Sequence, residues 1–228
     1  MSAHAFFVTA SGTDIGKTYV TTGLIRALQA RGVPVSALKP LITDFTARTA
    51  PGSDTALILK ALGEDVTDQA IACLSPWRYE AALAPDMAAA HEGKTVPYDE
   101  VVAFCAAARD AAQQKSVLIV EGAGGVLVPV DDRHTMRDFM RDLAAQPILV
   151  VGSYLGTISH TLTAVEALVN AGMPPLAVVV SESEDAGIAL ADTCAAIARF
   201  LGPVPLLPLP RNSDAAFADL ADLTLAAL

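Results

Sequence analysis

The sequence predicts an α/β fold in which a mainly parallel central sheet carries helices on both faces. Three observations lead there. Short, near-continuously apolar runs alternate with longer Ala- and Leu-rich stretches of helical period. The residues are 53% hydrophobic and only 18% charged, and mean hydropathy is +0.45. A sheet buried on both faces needs such strands, apolar throughout instead of alternating. Finally, the first apolar run passes at once into a glycine-containing loop and then a helix.

Taken in order, the expected strands are 5–9, 33–38, 117–120, 147–151, 176–180 and 204–207. The expected helices are 16–30, 54–62, 98–113, 135–143, 157–171, 187–200 and 213–226. Between 43 and 97 several Pro and Gly residues interrupt any period, so loops and short helices are expected. Nothing in the 228 residues reads as a repeat or linker, so one domain spanning 1–228 is predicted, with ample core for its size. Right-handed crossovers between parallel strands place a ligand crevice at their carboxyl ends.

Fifteen basic against 25 acidic residues, a net charge of −10, argue against nucleic acid as a partner. Cys73, Cys105 and Cys194 have no metal-ligand spacing and read as small buried apolar residues of a reducing compartment. The N-terminus lacks the basic and long apolar regions of a secretory signal, which predicts a cytoplasmic protein. The most apolar stretch, 148–169, is broken by Gly152, Gly156, Ser159 and His160 and reads as a strand and helix, not a membrane span.

The chemistry is concentrated at strand ends. Ala10-Ser11-Gly12-Thr13-Asp14-Ile15-Gly16-Lys17-Thr18-Tyr19 joins the first strand to the first helix. In that setting backbone N–H groups of a glycine turn, with the positive helix end, converge on phosphate oxygens. Lys17 would reach the β- and γ-phosphates of a nucleoside triphosphate, and the Thr18 hydroxyl would coordinate Mg²⁺. The fold class is therefore that of P-loop NTPases, although Ser11 stands where the motif wants its first Gly.

Glu121 ends a buried strand and precedes Gly122-Ala123-Gly124-Gly125, the setting of an acid that shares the Mg²⁺. Lys39, before Pro40, should emerge on the same sheet edge as Lys17, where two ammonium groups can offset a transferring phosphoryl group. Asp54 reads either as a helix cap or first-turn acid, or as a second carboxylate for Mg²⁺. The segment 153–160 opens a helix whose free N–H groups suit a carboxylate, or are simply capped. His160 has no partner spacing and reads as structural.

With these residues in view, the chain resembles the dethiobiotin synthetases over nearly its whole length. The resemblance rests on Gly16-Lys17-Thr18, Lys39-Pro40, Ser53-Asp54, Glu121 to Gly125, and Leu155-Gly156 with Ile158 and His160. It implies a Mg²⁺- and ATP-dependent ligase that carboxylates 7,8-diaminononanoate with CO₂ and closes the ureido ring, through a carbamate and a carbamic–phosphoric anhydride. It also implies site roles. Lys17 and Lys39 would be catalytic. Thr18, Asp54 and Glu121 would hold the metal. Thr13, Lys39, Thr43 and Gly125 would meet the diamine or its carbamate. Family members are homodimers, and Gly156, Thr157, Ile158 and Ser159 would hold the substrate's distal carboxylate across that contact.

For the nucleotide, the resemblance assigns Gly12 to Tyr19, Asp54, Glu121 to Gly124, then Glu182, Ser183, Pro210, Arg211 and Asn212. Ser181-Glu182-Ser183 replaces the family's Asn-Asp that reads adenine, which leaves room for triphosphates other than ATP. A partitioning or positioning ATPase of the ParA/MinD kind is the rival. Its signature Lys would fall at Gly12, and 212–228 holds three Asp without Lys or Arg, unlike a membrane-binding tail. A glutamine-dependent amide synthase would need a glutaminase domain, for which these residues leave no room.

Overall fold

The computed structural model describes residues 4–112, 116–184 and 186–228. It opens with β1 (His4–Ala10), α1 (Lys17–Gln29) and β2 (Val35–Leu38). The irregular region holds β3 (Leu41–Ile42), α2 (Asp54–Leu62), α3 (Asp68–Leu74), β4 (Trp77–Arg78) and α4 (Pro85–His91). Then come α5 (Tyr98–Ala111), β5 (Val117–Glu121), α6 (Met136–Asp142), β6 (Gln146–Val151) and α7 (Thr157–Asn170). The chain ends with β7 (Ala177–Ser181), α8 (Leu190–Leu201), β8 (Leu206–Leu209) and α9 (Ala215–Ala226).

Six strands form one sheet in the order β2-β5-β1-β6-β7-β8. Every pairing is parallel. Side chains alternate along each strand, so β1 sends Phe6, Val8 and Ala10 to one face and Ala5 and Phe7 to the other. On the first face they meet α1, α2, α3 and α9, through Leu24, Ile25, Ile58, Leu59, Ile71, Phe217 and Leu220. On the second they meet α4 to α8, through Val101, Phe139, Leu168 and Ile197. Both cores are apolar, which is why the strands read as continuous hydrophobic runs.

Element ends depart from expectation for identifiable reasons. The second strand starts at 35, not 33, because the Val33 amide donates to Leu28 O and closes α1 instead of joining the sheet. The last strand lies two residues late, at Leu206–Leu209, because its register with β7 pairs Val178 with Leu206 and Ser181 with Leu209. Helix α8 starts at Leu190, not 187, and α9 at Ala215, not 213. Residue 113, expected to end α5, lies outside the described residues. The two-residue pair β3–β4 was not foreseen, since so short a strand carries no period. Cys105 and Cys194 are buried as expected, but Cys73 is exposed. Among the described residues no helix is long and apolar enough to cross a membrane.

Candidate active site

The topology delivers the site. β1, β2 and β5 are neighbours in the sheet, so the loop after β1, Lys39 after β2 and Glu121 at the end of β5 converge at one carboxyl edge. The loop turns into α1 at Gly16, whose φ of 98° lies in the left-handed region. A side chain there would be strained, and its Cβ would stand 2.8 Å from Ser181 Oγ. The first turn of α1 has no acidic residue and no side-chain cap, so its leading N–H groups remain open to an anion. Lys17 Nζ donates to Gly12 O at 3.2 Å, bridging the loop it belongs to. Burial, and then the nearby Lys39 charge, lower the Lys17 pKa to about 8.

Below the loop lies a compact charge cluster. Lys39 Nζ stands 2.7 Å from Glu121 Oε1 and 3.0 Å from Asp54 Oδ2, and also donates to Gly122 O at 3.3 Å. The Thr18 hydroxyl donates to the same Glu121 Oε1 at 2.8 Å. Burial works against the Lys39 charge, but the two carboxylates outweigh it and hold its pKa above the ordinary lysine value. For Asp54, burial likewise opposes ionisation, and Lys39 with the Thr18 hydroxyl overcomes it and depresses the pKa. Asp54 is the first residue of α2, and the cap itself is Ser53, whose hydroxyl accepts from the Ala56 amide. The Asp54 side chain is therefore spared capping duty and faces Lys39.

Thr18, Asp54 and Glu121 offer only oxygen donors, the chemistry a hard divalent cation takes. Glu121 Oε2 is buried and has no hydrogen-bond partner among the described residues, a free acceptor in a dry place. Among those residues no three His, Cys, Asp or Glu side chains are gathered to hold a metal. A hydroxyl and two carboxylates fit Mg²⁺ completed by phosphate oxygens and water, and do not fit a closed all-protein site.

A cleft of about 950 Å³ runs over this cluster, lined by Thr13, Asp14, Gly16, Lys17, Thr18, Tyr19, Lys39, Thr43, Asp54, Ala123 and Gly124. A second hollow of about 360 Å³ adjoins it, sharing Asp14, Gly16 and Tyr19. Ile15, Glu182, Ser183, Pro210, Arg211 and Asn212 line this second hollow, which is where the sequence placed the base. It is tied together internally. Glu182 accepts from the Arg211 amide at 2.9 Å, and Ser183 and Ser153 exchange two hydrogen bonds across the β6 and β7 ends.

Other expected residues lie elsewhere. Gly125 packs on the phosphate loop, where an added Cβ would come within 3.2 Å of Ala10 O and 3.3 Å of Gly12 N, and it lines neither hollow. Gly122 packs beneath the cluster, its carbonyl facing Lys39. Gly156, Thr157, Ile158 and Ser159 begin α7 outside both hollows of their own chain. That helix also starts on a left-handed glycine without a side-chain cap or first-turn acid, while the Thr157 hydroxyl is spent on Gly152 O at 2.6 Å. His160 is exposed and meets the Tyr154 hydroxyl at 3.0 Å.

The sequence missed the supports of Lys39. Its carbonyl accepts from Ser75 Oγ at 2.6 Å, Ser75 Oγ meets Thr55 Oγ1 at 2.6 Å, and its amide donates to Leu74 O. It also missed Arg48 and the wall formed by Ala82, Leu83, Ala84 and Pro85. These lie in the aperiodic region, where no local pattern marks a residue as facing a ligand.

A glycine loop feeding an open helix start that carries one lysine, a second lysine just past a neighbouring strand, and a paired acid ending a third strand define a P-loop protein built for phosphoryl transfer from a nucleotide. A family model described as an AAA domain matches residues 4–216. Among curated relatives, "ATP-dependent dethiobiotin synthetase BioD" of Caulobacter sp. (strain K31) is 47% identical over 98% of this chain and 95% of its own. The protein of the same name from Acidiphilium cryptum (strain JF-5) is 44% identical over 88% of this chain and 89% of its own. The chain belongs to the ATP-dependent dethiobiotin synthetase family.

Solved structures echo the fold alone. MinD in the MinC:MinD cell division complex of Aquifex aeolicus matches with a TM-score of 0.56 at 14% identity, covering 96% of this chain and 86% of that one. HypB from Helicobacter pylori, in complex with nickel, matches with a TM-score of 0.54 at 15% identity, covering 98% and 86%. At such identities these likenesses carry no function, and the switch-protein reading gains nothing from them.

Proposed function

We propose that this chain makes dethiobiotin from 7,8-diaminononanoate, CO₂ and ATP, releasing ADP and phosphate, and that it uses Mg²⁺ and works as a homodimer in the cytoplasm. Family membership supports the reaction, and the relatives' printed names support ATP as the phosphoryl donor. The observation that carries the reading is a single cleft lined by Lys17, Thr18, Lys39 and Asp54, with Glu121 buried beneath it and paired to Lys39.

In this reading CO₂ first adds to one amine of the substrate, giving a carbamate anion. A carbamate oxygen attacks the γ-phosphorus of ATP, the bond to the β-bridging oxygen breaks, and ADP leaves. The second amine then attacks the carbamate carbon, expels phosphate, loses its proton and closes the five-membered urea. The nucleophile of the phosphoryl step is already an anion, so no strong protein base is demanded. The protein holds the reactants in line and offsets charge. Lys17 bridges the loop toward the β- and γ-phosphates, and Lys39 faces the carbamate and the moving phosphoryl group. Thr18, Asp54 and Glu121 would hold Mg²⁺, which when bound neutralises phosphate charge. The hollow formed by Glu182, Ser183, Pro210, Arg211 and Asn212 takes the base.

Phosphate release should require Mg²⁺, bicarbonate and the diamine together, and mass spectrometry should find dethiobiotin. Phosphate release indifferent to the diamine would sink this assignment.

A further inference from the structure

One cation lining the cleft is left without a role by this reaction. Three cations line it: Lys17, Lys39 and Arg48. Lys17 is engaged by Gly12 O and Lys39 by two carboxylates. Among the described residues, no hydrogen bond or ion pair engages the Arg48 guanidinium, although the chain carries a net charge of −10.

The loop that carries Arg48 is fixed before any ligand arrives. Asp44, at a φ of 56°, turns the chain, and the Asp44 and Phe45 amides donate to Ala81 O and Tyr79 O. Thr49 Oγ1 donates to Asp44 O at 2.8 Å and accepts from the Thr46 amide at 2.8 Å, while the Thr49 amide returns a bond to Thr46 Oγ1 at 3.2 Å. The Ala50 amide donates to Thr46 O at 2.9 Å, and Arg78 lies over the Phe45 ring. Because the arch is already braced, capturing an anion orders the Arg48 side chain and not the loop that carries it. Next to it the wall is apolar, formed by Ile42, Leu83, Ala84 and Pro85, which suits an alkyl chain.

We propose that Arg48 is an oxyanion-binding residue of this cleft, gripping the phosphoryl and carbamate oxygens at the reacting end. The planar fork of guanidinium donors matches both kinds of oxyanion. The proposal rests on the dethiobiotin reading for the identity of its ligands.

Arg48→Gln should keep the wild-type melting temperature, since the side chain is exposed, and should lose roughly tenfold or more in kcat/KM, with part recovered in Arg48→Lys. Two substrates test the assignment. With 7,8-diaminononanoate and with 7,8-diaminononane, which has no carboxylate, kcat should fall equally. A KM effect on the diamino acid that vanishes with 7,8-diaminononane would put Arg48 on the carboxylate and overturn the proposal. Equal constants for wild type and Arg48→Gln would overturn the proposal, as would a loss that Arg48→Lys does not reduce. Calorimetric titration of the diamino acid and of Mg-ATP gives the same comparison without turnover, so a wild type that makes no dethiobiotin would sink the reaction while leaving Arg48 testable.

Discussion

Lys39 sits between a fully buried carboxylate, Glu121, and a half-exposed one, Asp54. Its side chain is 4% exposed and that of Glu121 is 0% exposed, so neither charge is well served by water. Lys39→Gln should therefore act twice. Turnover should fall by about a hundredfold or more through lost charge stabilisation. Without metal the variant should also lose about 3 kcal/mol of stability, the order expected when one partner of a buried pair is removed. Magnesium should restore part of that loss, because a cation again stands between Asp54 and Glu121. Melting curves in EDTA and in Mg²⁺ test this, and equal losses in both would show that the carboxylates do not share a metal.

Lys17 gives a pH signature. Its folded pKa of about 8 lies below the ordinary 10.5. The unfolded chain therefore binds more protons between those values, and this residue makes stability rise with pH through that window. Nucleotide binding has the opposite sense, because phosphate anions favour the charged ammonium. ATP binding above pH 8 should take up a proton and weaken as pH rises. Calorimetry in buffers of different ionisation enthalpy measures the uptake, and a Lys17→Met variant should abolish it.

At the scale of elements, α1 is pinned between the loop it starts and α9 behind it. Gly23 on α1 is where this contact is tightest, since a Cβ there would overlap the ring of Phe217. Phe217 is buried and also meets Tyr19 edge to face, so the ring has little room to retreat. Gly23→Ala should gain helix propensity and still lose about 1–3 kcal/mol through overpacking. Phe217→Leu in the same chain should recover most of it. Thermal unfolding of the single and double variants decides, and a Gly23→Ala chain more stable than wild type would contradict the packing. Helix existence here was legible from period and composition. The ends were not, because Val33 and the β8 register answer to hydrogen bonds that no local pattern encodes.

For the whole molecule, the proposed homodimer would place the start of α7 against a neighbouring copy. Leu155 is 95% exposed and Ile158 37%, an unusual display of large apolar side chains beside an uncapped helix start. Leu155→Glu should shift the protein toward monomer in light scattering and raise KM for the diamine while leaving KM for ATP near wild type. A variant that stays dimeric with unchanged KM would remove this helix start from the substrate site.

The sequence alone determined the layered parallel sheet, the glycine loop from about Ser11 to Thr18 expected to cradle phosphate, and the carboxyl-edge positions of Lys39 and Glu121, because each is written in a local run of residues. Asp54 was legible both as a helix cap or first-turn acid and as a second carboxylate for Mg²⁺, and the choice between them depended on Ser53 taking the cap. Tertiary structure decided which charges pair, that Ser75 and Thr55 hold Lys39 from behind, and that Arg48 and the 82–85 wall close the cleft. Those contacts join residues far apart in the chain, and their positions follow from strand order and loop bracing, quantities that no spacing along a sequence contains.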